Sequence, residues 1–318
     1  MNGIRSIVRK ELADHFSSYR FIILFALIAM VSLITVYMVG LNIRTELEGI
    51  AKPKFIFLML FTSSGTLFSL VQFVAFFGPL IGLILGFDAI NRERSEGTLS
   101  KLLSQPIYRD VVINGKFLAG VITITVMLVS IVLLVTGLGL IIVGVIPGME
   151  EFWRIFVYLI ISIIYVSFWL GVSILFSIVF RSIATSALAA LAVWIFFSFF
   201  ISMGASVVAN AFVPESGEPT PESVVQRAKI VRGISLASPM QLYTYATATI
   251  IDPTRKTTRS IVAMGPMEQM SMSRFSGPLS LGQSVFVVMP YIVTLIAVTL
   301  ICFGISYLVF MRQEIRSL

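Results

Sequence analysis

The sequence has one cysteine, one histidine and few charges: only 12% of its 318 residues are Asp, Glu, Lys or Arg. A single thiol, Cys302, excludes an internal disulfide, and a lone His15 excludes a histidine-rich metal site. No metalloprotease helix motif, nucleophile elbow or Gly-rich phosphate loop ending in Lys-Ser/Thr occurs. Catalytic, cofactor-binding and metal-ligating residues are therefore none by this reading, and any energy source lies in another chain. Met264, Met267, Met270 and Met272 stand close together, but no Met or His cluster has copper-ligand spacing, so they read as a Met-rich loop. The net charge of +7 does not indicate nucleic acid, because no basic cluster is interleaved with aromatics.

Apolar sequence is what the chain has in abundance. Hydrophobic residues make up 57%, and the mean hydropathy is +0.98. Six runs are long enough to cross a bilayer, a task for about 20 apolar residues. They cover 21–41, 66–87, 117–145, 155–180, 183–209 and 284–310, and none contains an Asp, Glu, Lys, Arg or His. The fold class is thus an all-α polytopic membrane protein with six transmembrane helices in a single transmembrane domain. Proton- or sodium-coupled transport ordinarily needs an ionisable group within the membrane, so secondary transport is disfavoured.

Between and around these runs, residues 2–19 space Ile4, Val8, Leu12 and Phe16 four apart and read as an amphipathic interfacial helix. A plain cytoplasmic extension of the first span is the alternative. The first run is too long for a signal-peptide core and reads as an uncleaved anchor. Residues 55–61 are either an extension of the second span or a re-entrant piece, and Gly78-Pro79 predicts a kink. Trp153 and Arg154 read as interfacial anchors, and Gly204, Ala205 and Ser206 suit close helix packing. Segment 210–283 contains two helices. One opens at Thr220-Pro221-Glu222 and closes at Gly233; the other opens at Ser238-Pro239, closes at Asp252-Pro253 and suits the membrane interface. Residues 254–283 read as irregular.

Basic residues set the orientation. Arg5, Arg9, Lys10, Arg20, five in 88–116, Arg181, Arg312 and Arg316 fall on one side. Arg44, Lys52, Lys54 and Arg154 fall on the other. Both termini and the 88–116 loop are expected in the cytoplasm, and 210–283 outside, in a multi-pass cell-membrane protein.

The 88–116 loop is a polar island between two apolar runs. Gly97-Thr98 predicts a break and a helix N-cap. Leu99, Leu102 and Leu103 then make one apolar stripe, and Pro106 ends the helix. A short capped amphipathic helix at a membrane surface is suited to docking in another protein's groove. A solvated loop whose leucines pack on the chain's own spans is the alternative.

The residues Asp88-Ala89-Ile90, Glu93-Arg94-Ser95-Glu96-Gly97-Thr98-Leu99 and Leu102-Leu103-Ser104-Gln105-Pro106-Ile107 resemble the cytoplasmic loop of ABC-2-type permeases, especially the NosY-like branch. Gly115-Lys116, Leu236-Ala237-Ser238-Pro239 with Leu242-Tyr243, and Arg312-Gln313-Glu314 fit the same pattern, and the resemblance covers essentially the whole chain. It implies that 97–106 is a coupling helix seated on a separate ABC ATP-binding subunit, which would bind the ATP. Leu99, Leu102 and Leu103 would be buried anchors, with Gly97, Thr98 and Pro106 bounding the helix. Glu93, Arg94, Glu96 and Lys101 would form a polar rim. It also implies a second permease, either another copy or a paralogue, with the first and fifth spans at that interface, besides contact with membrane lipid. An exporter is the first functional expectation. A mechanotransmitting subunit that passes ATP-driven motion to an extracytoplasmic partner, moving no cargo, is the second.

Overall fold

A computed structural model describes residues 2–46, 55–62, 69–98, 108–213, 221–255 and 277–313. Among these residues every regular element is helical. Six helices are long and apolar enough to cross a membrane. Their regular helical stretches are Tyr19–Glu46, Leu70–Gly86, Arg109–Val143, Met149–Val179, Ile183–Phe212 and Leu281–Arg312. Several exceed the apolar runs because polar first turns, such as Arg109-Asp110 and Glu150-Glu151, continue the helix beyond the hydrophobic stretch.

The fourth span, Met149–Val179, is the central post, and its middle is buried on nearly all sides. The second span crosses it at unusually short range. A Cβ on Gly82 would lie 2.6 Å from the Val166 carbonyl oxygen, and one on Gly86 would lie 2.7 Å from Ser173 Cβ. Two hydroxyls from the post bond to carbonyls of the second span. Pro79 has no N–H to give the Ala75 carbonyl one turn earlier, and Tyr165 Oη donates to that oxygen at 2.7 Å. Ser173 Oγ donates to Leu83 O at 2.8 Å. The expected disturbance at Gly78-Pro79 thus has its freed carbonyl satisfied by a neighbouring helix.

The second span begins at Leu70, behind a reciprocal cap in which Ser69 Oγ accepts from Gln72 N–H and Gln72 Oε1 accepts from Ser69 N–H. That cap makes 55–62 a separate piece rather than a helical extension. It is a turn followed by the short helix Met59–Thr62, with Phe57, Leu60 and Phe61 wholly buried. Non-helical backbone at such a site is tolerated because protein surrounds it, and Phe57 N–H finds Glu151 Oε1 at 3.0 Å.

Helices Pro221–Ser235 and Pro239–Ile251 precede the last span. The first continues through Gly233, which does not take the left-handed conformation that would have stopped it. The second is embedded against the fourth and sixth spans rather than lying at an interface. Tyr243, Ala246 and Ile250 have no exposed surface, and the Tyr243 ring stacks on Tyr165 at 4.5 Å. Ser238, at its N-terminus, makes no side-chain cap bond; its hydroxyl donates to Phe197 O at 2.8 Å. Phe197 lies in a π-helical turn, Phe196–Phe200, that interrupts the fifth span. The fifth span is the least enclosed, with Leu188, Met203, Val207 and Phe212 all largely exposed.

Candidate functional site

The polar island, the N-terminal helix, the loop after the fourth span and the chain's last described residue meet at one end of the bundle. After the second span the chain turns at 87–90 and forms one short helix, Asn91–Ser95. Its start is pinned to the central post, where Ser177 Oγ accepts from the Ile90 N–H at 2.9 Å and the Asn91 N–H at 3.1 Å. Its end is set by Gly97, whose φ of +67° is the left-handed conformation that favours glycine after a helix. Among the described residues no atom lies within 4 Å of a Cβ built there, so it is the backbone conformation that favours glycine. Thr98 Oγ1 folds back and donates to Glu93 O at 3.2 Å.

Glu93 departs from the expected polar rim. It is only 7% exposed and points inward. Its Oε1 is 3.1 Å from Lys116 Nζ, at the start of the third span, and 3.3 Å from Lys10 Nζ, on the N-terminal helix α1 (Asn2–Ser17). Lys116 Nζ also donates to Glu11 Oε1 at 2.8 Å. Two carboxylates and two ammonium groups therefore form one formally neutral cluster joining α1, the island and the third span. Such a group tolerates burial because each charge is paired; deleting one partner leaves an uncompensated buried charge. Burial opposes the Lys10 charge, but Glu93 and then Glu11 outweigh it, and its pKa is raised.

Gly115 explains why a glycine precedes that lysine. A Cβ on it would lie 2.7 Å from Ile7 Cγ2, so only glycine lets α1 approach closely enough for Glu11 to reach Lys116. The inner face of α1 is thus Gly3, Ile7 and Glu11. The stripe Ile4, Val8, Leu12 and Phe16 is only half-buried or exposed and faces outward.

The other described candidates spread around this cluster. Arg94 Nη2 donates to Gln313 Oε1 at 2.9 Å, and Arg109 Nη1 to Gln313 O at 3.1 Å, which fastens the C-terminal end of the sixth span. Glu96 pairs with Arg92 at 3.0 Å on the solvent side, an exposed contact worth little. Ser95, Glu96, Gly97 and Thr98 are exposed. Leu99, Lys101, Leu102, Leu103 and Pro106 lie outside the described residues.

Arg154 marks the opposite end of the central post and is no lipid-facing anchor. It has no exposed surface. Its guanidinium donates to Thr249 O, Ile250 O, Leu279 O and Ser284 Oγ, and to Glu150 Oε1 at 2.9 Å. The end of helix Pro239–Ile251 leaves carbonyls without helical partners, and Arg154 takes two of them. Trp153, half-exposed, keeps the expected outward position. Sequence reading missed both the Glu11 contact and the Arg154 hub, because a charge beside an apolar run looks solvated until its partners are known. Among the described residues no group of three or more His, Cys, Asp and Glu could hold a metal ion.

Comparison with known proteins agrees with this architecture. A probable ABC transporter permease protein NosY from Stutzerimonas stutzeri is 30% identical over 154 residues, 48% of this chain and 51% of that protein. The protein of the same name from Pseudomonas aeruginosa is 31% identical over 118 residues, 37% of this chain and 38% of its own. The matched region therefore spans about half of the first relative and less of the second. The family described as ABC-2 family transporter protein matches residues 5–315. Matched over nearly its whole length, the chain belongs to the ABC-2 family of transporter proteins.

Proposed function

We propose that this chain is the permease subunit of an ATP-driven ABC transporter and that 97–106 is where a separate ATP-binding subunit docks. Both termini and the island lie on the cytoplasmic side in this reading, as the distribution of Lys and Arg favours. Leu99, Leu102, Leu103 and Pro106 contact the ATPase, with Lys101 and Glu96 at the margin. Glu93 and Arg94 hold the docking segment to the bundle instead. The ATP is bound by the partner, and two permeases, identical or paralogous, form the membrane unit. Export is the direction proposed.

The observation that carries this reading is the fourth span acting as a rod. Ser177 holds the start of the island at one end, and Arg154 holds helix Pro239–Ile251 at the other. The 23 residue steps from Arg154 to Ser177 span roughly 35 Å of helix, about a membrane thickness. A displacement of the island has a stiff route to the far side.

The same rod supports a second reading, in which motion delivered to the outer segment is itself the output and no cargo crosses. Deleting residues 254–278 from the assembled complex separates the two. An exporter keeps substrate-stimulated ATP hydrolysis; a transmitter loses binding of its outer partner. An isolated chain that hydrolyses ATP contradicts both.

A further inference from the structure

The outward face of α1 is only partly covered by the described residues, with Phe16 packed edge-on against Phe21 of the first span at 5.3 Å. On a helix of 3.6 residues per turn, Gly3, Ile7 and Glu11 occupy the side packed on the third span, and Ile4, Val8, Leu12 and Phe16 occupy an adjacent arc. Phe16 is 39% exposed, and the other three are partly exposed. Arg5 and Arg9, one turn apart, border this apolar arc on the side away from the third span. Both are exposed, and neither has an ion-pair partner among the described residues. The arc continues into the exposed apolar surface of the first span at Tyr19, Ile22 and Ile23. A packed side, an apolar underside and arginines at their outer border match a helix lying in a leaflet, with the guanidinium groups at phosphate level.

We propose that this face of α1 is a contact for anionic phospholipid headgroups, and that the Lys10–Glu11–Glu93–Lys116 cluster links its occupancy to the position of the island. The charge is complementary: two unpaired arginines face a leaflet whose acidic lipids attract basic residues. Each arginine near such a surface strengthens attachment about fivefold, or about 25-fold for the pair. The link is equally concrete. Lys10 and Glu11 stand on the same helix as Arg5 and Arg9 and hold Glu93 and Lys116 at 3.3 Å and 2.8 Å. A membrane-anchored α1 therefore holds the island helix Asn91–Ser95 against the bundle, and a detached one releases it.

The test uses the full chain in nanodiscs of phosphatidylcholine, with or without about one-third phosphatidylglycerol, and contains no ATPase. Its failure is therefore distinct from failure of the docking proposal. Hydrogen exchange is read on residues 2–17 and 91–96. Phosphatidylglycerol should slow exchange in both segments together, by up to about 25-fold in α1. The effect should vanish in Arg5→Gln/Arg9→Gln and at about 1 M salt, where screening shortens to about 3 Å. In Glu93→Gln, and separately in Lys116→Met, the lipid should still protect 2–17 but no longer 91–96. Equal exchange in the two lipids overturns the lipid contact, and would leave the arginines to a protein partner. A lipid effect that survives in the arginine double variant also overturns it. Protection of 2–17 without 91–96 in the unaltered chain overturns the link.

Discussion

Glu93 Oε1 and Lys116 Nζ stand 3.1 Å apart, the lysine side chain 5% and the glutamate side chain 9% exposed. A residue of the polar island is thus locked to the base of the third span, and the pair is completed by Glu11 and Lys10 from the N-terminal helix. The island is held from within, by charges, while its next residues face solvent.

Removing one member of that pair should cost more than removing both. Glu93→Gln or Lys116→Met alone leaves an unmatched buried charge, a loss of about 3 kcal/mol, somewhat below the value for fully buried pairs because Lys10 is half-exposed. The double variant should recover part of this, giving a coupling energy above about 1 kcal/mol in a double-mutant cycle. Thermal unfolding of the purified chain in one detergent provides the measurement. Strictly additive losses would show that the two groups do not act as a pair.

Arg154→Met keeps the aliphatic stem of the side chain but removes the guanidinium and abandons four acceptors and Glu150. Unfolding should be easier by about 3–5 kcal/mol. Protection of amides in Pro239–Ile251 should fall, while those in Asn91–Ser95 hold. Arg154→Lys should rescue poorly, since a single ammonium lacks the planar fork that serves several carbonyls at once. Hydrogen exchange across both segments decides this, and a fully rescuing lysine would contradict the hub.

His15 makes the anchoring of α1 sensitive to pH. Burial lowers its pKa most, Lys116 lowers it further, and Glu11, Asp88 and Asp14 oppose them without prevailing. The folded state thus favours the neutral ring. Its contribution is fully present above the unfolded value near 6.5 and is lost as pH falls from there through the lower folded value. Melting temperature should drop as pH falls below about 6.5 more steeply in the natural chain than in His15→Gln. Parallel curves would show that His15 has no such role.

Much of the architecture was legible because hydropathy reports length and apolarity, which is all a spanning helix requires. Ser238-Pro239 and Asp252-Pro253 also mark the observed ends of helix Pro239–Ile251, since Pro at a first turn and before a stop acts locally. Gly97 was legible as a break for the same reason. The sidedness of individual charges was not. Glu93 and Glu96 are three residues apart, one on the short helix and one at its C-terminal cap, yet one is buried and one exposed, because α1 and the third span approach from one side only. The four-residue spacing of Ile4, Val8, Leu12 and Phe16 correctly indicates amphipathicity, but Gly3, Ile7 and Glu11 pack on the protein instead. A partner helix 105 residues away selects that face, and nothing local announces it. Arg154 is hidden likewise, its acceptors lying 95–130 residues downstream.

The docking of the ATP-binding subunit is tested most directly by co-purification with Leu102→Asp, alongside Gly97→Trp. An anchor lost from the centre of an interface costs about 2 kcal/mol, some thirtyfold in affinity. Bulk at Gly97 strains a left-handed position. Leu102→Asp should therefore keep the melting temperature of the unaltered permease and Gly97→Trp should lower it only by the strain of about 1–2 kcal/mol, while both lose the co-expressed ATPase on washing and abolish coupled turnover. Full retention of the ATPase with full coupled turnover in both would place the docking surface elsewhere.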